Sequence, residues 1–454
     1  MPVPSLRLRG PGECRMKPCY RSALRLSYLL FFAFSFLGPG LGGISLGPVS
    51  LFPARVFLLL TWLLVGITMI LDCKQTLCFK PKWQYIFLGL WLLLAAVSLV
   101  WVENRGEAVR DLFILFMGLS LVGLAPAVIS RGQLLDRAVK IWLAVFLFMA
   151  GLGIFEHITG WHLPISRFSQ GYQPHLAFRP TAVFVNENNY AVFLNLCIPF
   201  VLARWRHFTG IRSRILLGWG LIAAIYLIFA TGSRINYAVL ILSVLVYALV
   251  LTARGKKLRT LGILSAVLIG VWIIFRGISP SLYKYNVREV KNLGEPLELV
   301  SAENSISIRL NLIRNGLWSL VRTWGLGTGA GNFETWAGKN APYSTRGIVN
   351  PHNWWIELVS EYGVVIASGY LAFYFSLLRL VWQEWRKARD KWIPEAMGLA
   401  LAVFPLAALS PSSSLEYYPH WLLLAVAFAW QQYAQKAGGQ NAHPDDLPPV
   451  SFKE

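Results

Sequence analysis

Apolar runs of fifteen to twenty-five residues, separated by short polar connections, recur along nearly the whole chain. About twenty apolar residues carry a helix across the hydrocarbon core of a bilayer. Hydropathy read together with Gly and Pro breakers predicts twelve spans, at 23–37, 52–71, 83–102, 109–129, 138–155, 182–202, 215–230, 235–252, 258–276, 354–378, 395–410 and 419–434. In lipid every backbone amide must be bonded within its own segment, so helices are the expected form. The fold class is therefore all-α, a polytopic membrane protein of about twelve transmembrane helices.

One connection stands apart by length. Residues 277–351, between the ninth and tenth spans, form a loop longer than a structureless link normally runs, which points to a function there. Within it "SISIRLNLIRNGLWSLVR" has apolar residues at helical spacing and predicts an amphipathic helix. A shorter segment, 156–181, is rich in His, Arg, Pro and aromatic residues.

Basic clusters at residues 7–25, 74–82, 131–140, 204–214, 254–259 and 379–391 fall in every second connection. The intervening "GPGLGGISLGPVS" and "SPSSSLEYYP" carry neither Lys nor Arg. Cytoplasmic loops hold the Lys and Arg excess, so both termini are expected in the cytoplasm and the long loop outside. This divides the chain into a cytoplasmic segment 1–22, spans one to nine over 23–276, an extracytoplasmic loop 277–351, spans ten to twelve over 352–434, and a tail 435–454 whose composition predicts disorder.

Composition sharpens the class. Of 454 residues 56% are hydrophobic and only 14% charged, where a soluble chain carries about a quarter. The net charge of +20 is accounted for by the basic loops, so no nucleic-acid partner is expected. Residues 23–37 imitate a signal-peptide core, but no A-x-A-like site follows, and a retained first helix is expected. Cys14/Cys19 and Cys73/Cys78 form two C-x4-C pairs, on the side expected to be cytoplasmic. Thiols stay reduced there, so free structural cysteines are expected, with zinc ligation the alternative.

The residues suited to chemistry gather toward the outer side. In "NPHNWWIELVSEYG", residues 350–363, Asn350 reads as an N-cap and Pro351 as the first helical residue. That puts His352 and Asn353 in the first turn, where the helix dipole disfavours a protonated imidazole and favours an anion. Gly363, eleven residues on, would share the histidine's face and let another helix approach. The plainer alternative is a helix cap with Trp354 and Trp355 as interface anchors. Arg234, in "FATGSRINYAVL", lies where two spans meet with almost no loop. An arginine at that depth marks a functional cavity, or snorkels to the interface, and its fork matches phosphate oxygens. Arg309 and Arg314 lie on the loop helix, as phosphate ligands or as solvated charges.

Two further stretches stand out. "RPTAVFVNENNYAVFL" sets Asn186, Glu187, Asn188, Asn189 and Tyr190 at the outer start of a span, where amides bond sugars or one another. "WGLGTGAGNFETW" is glycine-dense, but no strand precedes it and no helix is expected beyond it, so a close-packed turn around Gly327 is predicted rather than a nucleotide loop. No Walker, H-E-x-x-H or Ser/His/Asp pattern occurs, so chemistry without a metal or cofactor is expected.

Together these residues resemble a known family. His352-Asn353 followed by Gly363, after a long outer loop, is similar to the H-N-x9-G signature of the O-antigen ligase and O-antigen polymerase superfamily. "TGSR" resembles that family's mid-chain arginine motif, "IRLNLIRNGLWSLVRTWGLGTGAGNFE" its arginine-then-glycine stretch, and "FVNENNYAVFL" its N-x-N-x-(F/Y)-A element. The likeness runs from about residue 180 to 410. One departure is Trp324, where the family commonly has proline. The resemblance implies a GT-C-like, metal-independent, inverting glycosyltransferase in the bacterial cytoplasmic membrane, acting on its outer face. It would move a glycan from undecaprenyl diphosphate to an acceptor hydroxyl on another glycan or lipid-linked chain. It implies His352, Arg234 and Arg309 as catalytic residues, with Asn353, Asn186, Asn188 and Arg314 binding substrate. A lipid-linked glycan transporter or flippase is the competing class. Such proteins favour mid-span ionisable residues and repeated halves, whereas the polar residues here collect on one face.

Overall fold

The structure, a computed structural model, describes residues 18–46, 49–71, 82–129, 132–169, 176–207, 210–291, 305–387, 391–413 and 415–437. Cys14, Cys73, Cys78, the side chain of Cys19 and the tail from 438 lie outside the described residues. Each of the twelve expected spans coincides with a helix. The first five are α1 (Pro18–Leu37), α2 (Pro53–Leu71), α3 (Trp83–Val97), α4 (Arg105–Val128) and α5 (Gly132–Thr159). Then come α6 (Glu187–His207), α7 (Ile211–Thr231), α8 (Arg234–Val246) and α9 (Lys257–Ile278). The long connection contains α10 (Pro280–Lys291), α11 (Ser305–Arg322) and α12 (Phe333–Asn340). The bundle closes with α13 (Trp354–Lys387), α14 (Trp392–Ala407) and α15 (Tyr418–Ala437).

Among the described residues nine of these helices are long and apolar enough to cross a membrane. This is a multi-pass, all-α membrane protein. Of the remaining three expected spans, α6 and α15 form the centre of the bundle: residues 190–203 and 420–431 are buried without interruption. α6 packs against α7 and α14, and α15 against α4. Helices shielded from lipid need no uniform apolar surface, which is why α6 carries Glu187, Asn188, Asn189 and Asn195. α14, at 16 residues, is simply short.

Two features depart from the expected plan. The segment after α1 contains a small antiparallel hairpin, β1 (Ile44–Leu46) with β2 (Val49–Leu51), in the register Ile44↔Leu51. Its apolar/Ser alternation suits strands, and length alone hid it among helices. The glycine run, too, is followed by a helix after all, the eight residues of α12.

One contact that holds the long connection to the bundle is made largely of backbone. α13 is interrupted at Gly363, which has φ 74° and ψ −179°. The interruption frees main-chain groups that a continuous helix would consume. The Ser360 and Glu361 carbonyls accept from Thr328 N–H (2.8 Å) and Gly329 N–H (3.0 Å), and Val364 N–H donates to the Gly325 carbonyl (2.9 Å). A Cβ on Gly363 would lie 2.3 Å from the Gly325 oxygen, and one on Gly327 2.4 Å from the Glu361 oxygen. Gly363 therefore admits the glycine loop, not the neighbouring helix expected from spacing. Trp324, at the start of that loop, has φ 54°, in a region closed to proline. The turn here differs from one built on proline.

Gly327→Ala adds a methyl group to a left-handed residue with no room for it. It should cost roughly 1–3 kcal/mol by overpacking and lower the unfolding temperature of the nanodisc-embedded protein. Gly262→Ala in α9, whose Cβ would meet nothing within 4 Å, should leave that temperature unchanged or slightly raised.

Candidate active site

The start of α13 lies later than the sequence suggests. Asn350 does not cap the helix. Its Oδ1 accepts the His352 N–H (3.0 Å) and its Nδ2 donates to Glu334 Oε1 (2.7 Å). Asn353 is the cap, its Oδ1 accepting the Trp355 N–H at 3.0 Å. His352 thus stands just outside the helix, in the left-handed region with φ 47°. The entry point is fixed from outside, because the Trp354 N–H is taken by the Ala408 carbonyl (3.0 Å). Trp354 is no interface anchor. It is fully buried, against Trp91, Tyr370, His420 and Trp421.

The His352 imidazole is largely enclosed, and its Nδ1 is buried with no hydrogen-bond partner among the described residues. Burial first, then the Arg309 guanidinium, then Arg167, push its pKa down to about 4. Arg309 is itself pushed below the usual arginine range, by burial and then by Arg234 beside it. Arg309 is therefore the electrostatic neighbour of both Arg234 and His352. Arg309 reaches the group from α11, where its Nη1 donates to the Leu409 carbonyl (3.3 Å). Arg234 opens α8, directly after Gly232 and Ser233 end the α7 turn.

The loop 408–413, between α14 and α15, joins these elements. The Asn236 amide donates to Ser410 Oγ (3.0 Å), Asn186 Nδ2 to Ser412 Oγ (2.5 Å), and Ser412 N–H to Asn189 Oδ1 (3.2 Å). Asn186 also caps α6, accepting the Asn189 N–H at 3.0 Å, and Asn188 Oδ1 accepts the Ser233 hydroxyl at 2.7 Å. The asparagines thus brace the turn that presents Arg234. Arg314 is not brought in. Five residues from Arg309 is about 140° around the helix, and it lies exposed over the Tyr343 ring with Nη1 3.4 Å from Asn311 Oδ1.

Two arginines were not singled out by sequence. Arg167 pairs with Glu187 and lies over the Phe168 ring. Arg179, buried, donates to Asn286 Oδ1 (2.8 Å) and pairs with the same carboxylate at 3.4 Å. The signal was Glu187 itself: a carboxylate at the buried head of α6 demands a cation, and the Arg-bearing 156–181 segment was the source at hand.

Residues 219–371 match the O-antigen ligase family. Over 371 residues the chain is 27% identical to "Teichuronic acid biosynthesis protein TuaE" of Bacillus subtilis (strain 168), covering 77% of this chain and 72% of that protein.

A histidine held neutral by its surroundings should titrate late. Side-chain NMR of labelled histidine should place the His352 midpoint near pH 4. Arg309→Gln removes a neighbouring cation and should move that midpoint up. A midpoint in the ordinary range near 6.5 in the unaltered protein would contradict the enclosed geometry.

Proposed function

From a chain that belongs to the O-antigen ligase and polymerase superfamily, and so serves surface-polysaccharide synthesis, we propose a glycosyltransferase that takes a glycan from undecaprenyl diphosphate and transfers it to an acceptor hydroxyl. The observation that carries this is an enclosed, uncharged imidazole with an unpartnered nitrogen beside Arg309, which has Arg234 as its own neighbour. Such a pocket suits a dianionic leaving group on one side and a hydroxyl proton on the other.

In the proposed reaction the acceptor oxygen attacks the anomeric carbon as the bond from that carbon to the phosphate oxygen breaks. Its proton passes to His352, and the electron pair leaves on the diphosphate. Arg234 and Arg309 hold that diphosphate and stabilise the charge growing on it, the kind of term that usually dominates catalysis. Two fixed guanidinium groups supply charge that a metal supplies elsewhere, so the reaction is proposed to be metal-independent. A single displacement inverts the anomeric centre. Asn353 fixes the helix start and with it the histidine.

Charge also tunes the base. In the free protein Arg309 and Arg167 help keep the imidazole a weak base. A bound diphosphate offsets those cations and raises the imidazole pKa toward the working pH, where general bases are most effective. His352 thus becomes a competent base as the donor arrives.

The proposed orientation follows the same reading: the alternation of basic loops supports both termini inside and the connections that carry His352, Arg234 and Arg309 outside. The polyprenyl chain would lie among the apolar helices.

His352→Ala should lower transfer from purified lipid-linked glycan by about 10²–10⁴-fold, and Arg234→Ala by at least about 10²-fold. Both proteins should still insert in the membrane. Arg309→Lys keeps the charge and loses the fork, so it should also fall well below the unaltered rate. Full activity in the histidine variant would reject its role as base, and unaltered rates with lysine would argue against bidentate phosphate recognition.

A further inference from the structure

A cavity of about 790 Å³ lies beside the site, between the ends of α1 and α4, the hairpin, the start of α6 and the loop before α15. That is the size of a small-ligand pocket. Its walls include Phe36, Phe113 and Tyr417 on one side and Asn186, Asn189 and Ser412 on another. Asn350 also lines it, the residue whose Oδ1 holds the His352 N–H. Asn186 and Ser412 belong to the bonded network at the head of α6 and the loop 408–413, and Asn350 joins the cavity wall directly to His352.

The charge in the cavity is unbalanced. Its lining holds Arg55, Arg105 and Arg110 against one carboxylate, Glu416. Glu416 is already taken by Arg110, at 2.5 Å. Arg55 is 8% exposed. Its Nη1 donates to the Ser50 carbonyl (2.6 Å) and it meets the Tyr418 hydroxyl, while its plane lies over Phe52 and Phe113. No carboxylate pairs with it among the described residues, and its Nε is buried without a partner. A buried guanidinium is normally paired. Here the counter-ion has to come from a ligand.

We propose that this cavity is the acceptor subsite and takes a sugar bearing a carboxylate, which pairs with Arg55. The inference rests on the transfer reading above, and it adds the chemical class of the acceptor. Aromatic walls suit the apolar faces of a pyranose. The amides and serine hydroxyls suit its hydroxyl groups, and a carboxylate matches the guanidinium fork. An acceptor anchored there would present a hydroxyl past Asn350 toward His352. Arg105, exposed at the rim, would add attraction for the same anion.

The test is direct binding to the full chain in zwitterionic nanodiscs. The probes are an oligosaccharide ending in glucuronic acid and its counterpart ending in glucose. The acidic probe should bind at least tenfold more tightly. Arg55→Gln should erase that preference while leaving the neutral probe's affinity unchanged. Should Arg55→Gln fail to fold, Arg105→Gln at the rim should reduce the preference, and Val109→Trp, filling the mouth, should weaken both probes. Equal affinity for the two probes in the unaltered protein would overturn the proposal. So would equal weakening of both by Arg55→Gln, or displacement of neither probe by Val109→Trp. Competition of the acidic probe by phosphatidylglycerol, with Val109→Trp sparing sugar binding, would assign the cavity to a lipid headgroup and overturn it as well. Selective binding without any transfer from lipid-linked donor would defeat the transferase reading alone.

Discussion

The polar end of the bundle around Arg309 answers to one cost: a guanidinium withdrawn from water beside another of the same sign. Arg309, on α11, is buried and has Arg234, at the start of α8, as a repelling neighbour. Such an arrangement persists only if the surrounding structure over-determines it. The bracing is visible. Glu187 takes up Arg167 and Arg179, the asparagines of α6 clamp the α7–α8 turn, and the serine loop ties both to Arg309 through the Leu409 carbonyl. Glu357, one turn into α13, holds the same loop by accepting the Ser413 hydroxyl at 2.7 Å. The polar ends of five separate elements are spent on keeping positive charge in one place.

That arrangement explains why the helices at the centre are the least membrane-like. α6 and α15 touch protein on all sides, so α6 can begin in a polar tetrad without exposing it to lipid. The long connection serves the same end. α11 delivers Arg309, and the glycine loop after it anchors the connection on α13 eleven residues beyond His352. His352 and Arg309 are thereby referenced to the same helix.

Much of this was legible in sequence, and the limits have physical causes. Apolar runs located a helix at each expected span, nine of them among the described residues long and apolar enough to cross a membrane, because lipid permits little else. The amphipathic pattern placed α11 at its observed ends, 305 and 322. Local capping rules then failed at α13. Asn350 and Asn353 are equally good caps by type, and the choice was made by the Ala408 carbonyl, fifty-five residues away. The histidine's left-handed backbone follows from that remote bond, so no window of sequence contained it. Arg314 misled for a related reason: adjacency along the chain is not adjacency around a helix. Arg167 and the serine loop were overlooked because their significance lies wholly in what they meet. Arg309 neighbours both Arg234 and His352 in the folded chain, a relation that spacing alone does not report.

The seam between the glycine loop and the broken helix is written in amide hydrogens and carbonyl oxygens. Thr328 and Glu361 add side-chain bonds to it, while the Trp324 side chain, 94% exposed, is a bystander. Because its core is main chain, most substitutions along it should leave the loop in register with the helix, provided a hydrogen atom stands in place of a methyl group at Gly327 and Gly363. Such a joint outlasts the similarity that would otherwise reveal it.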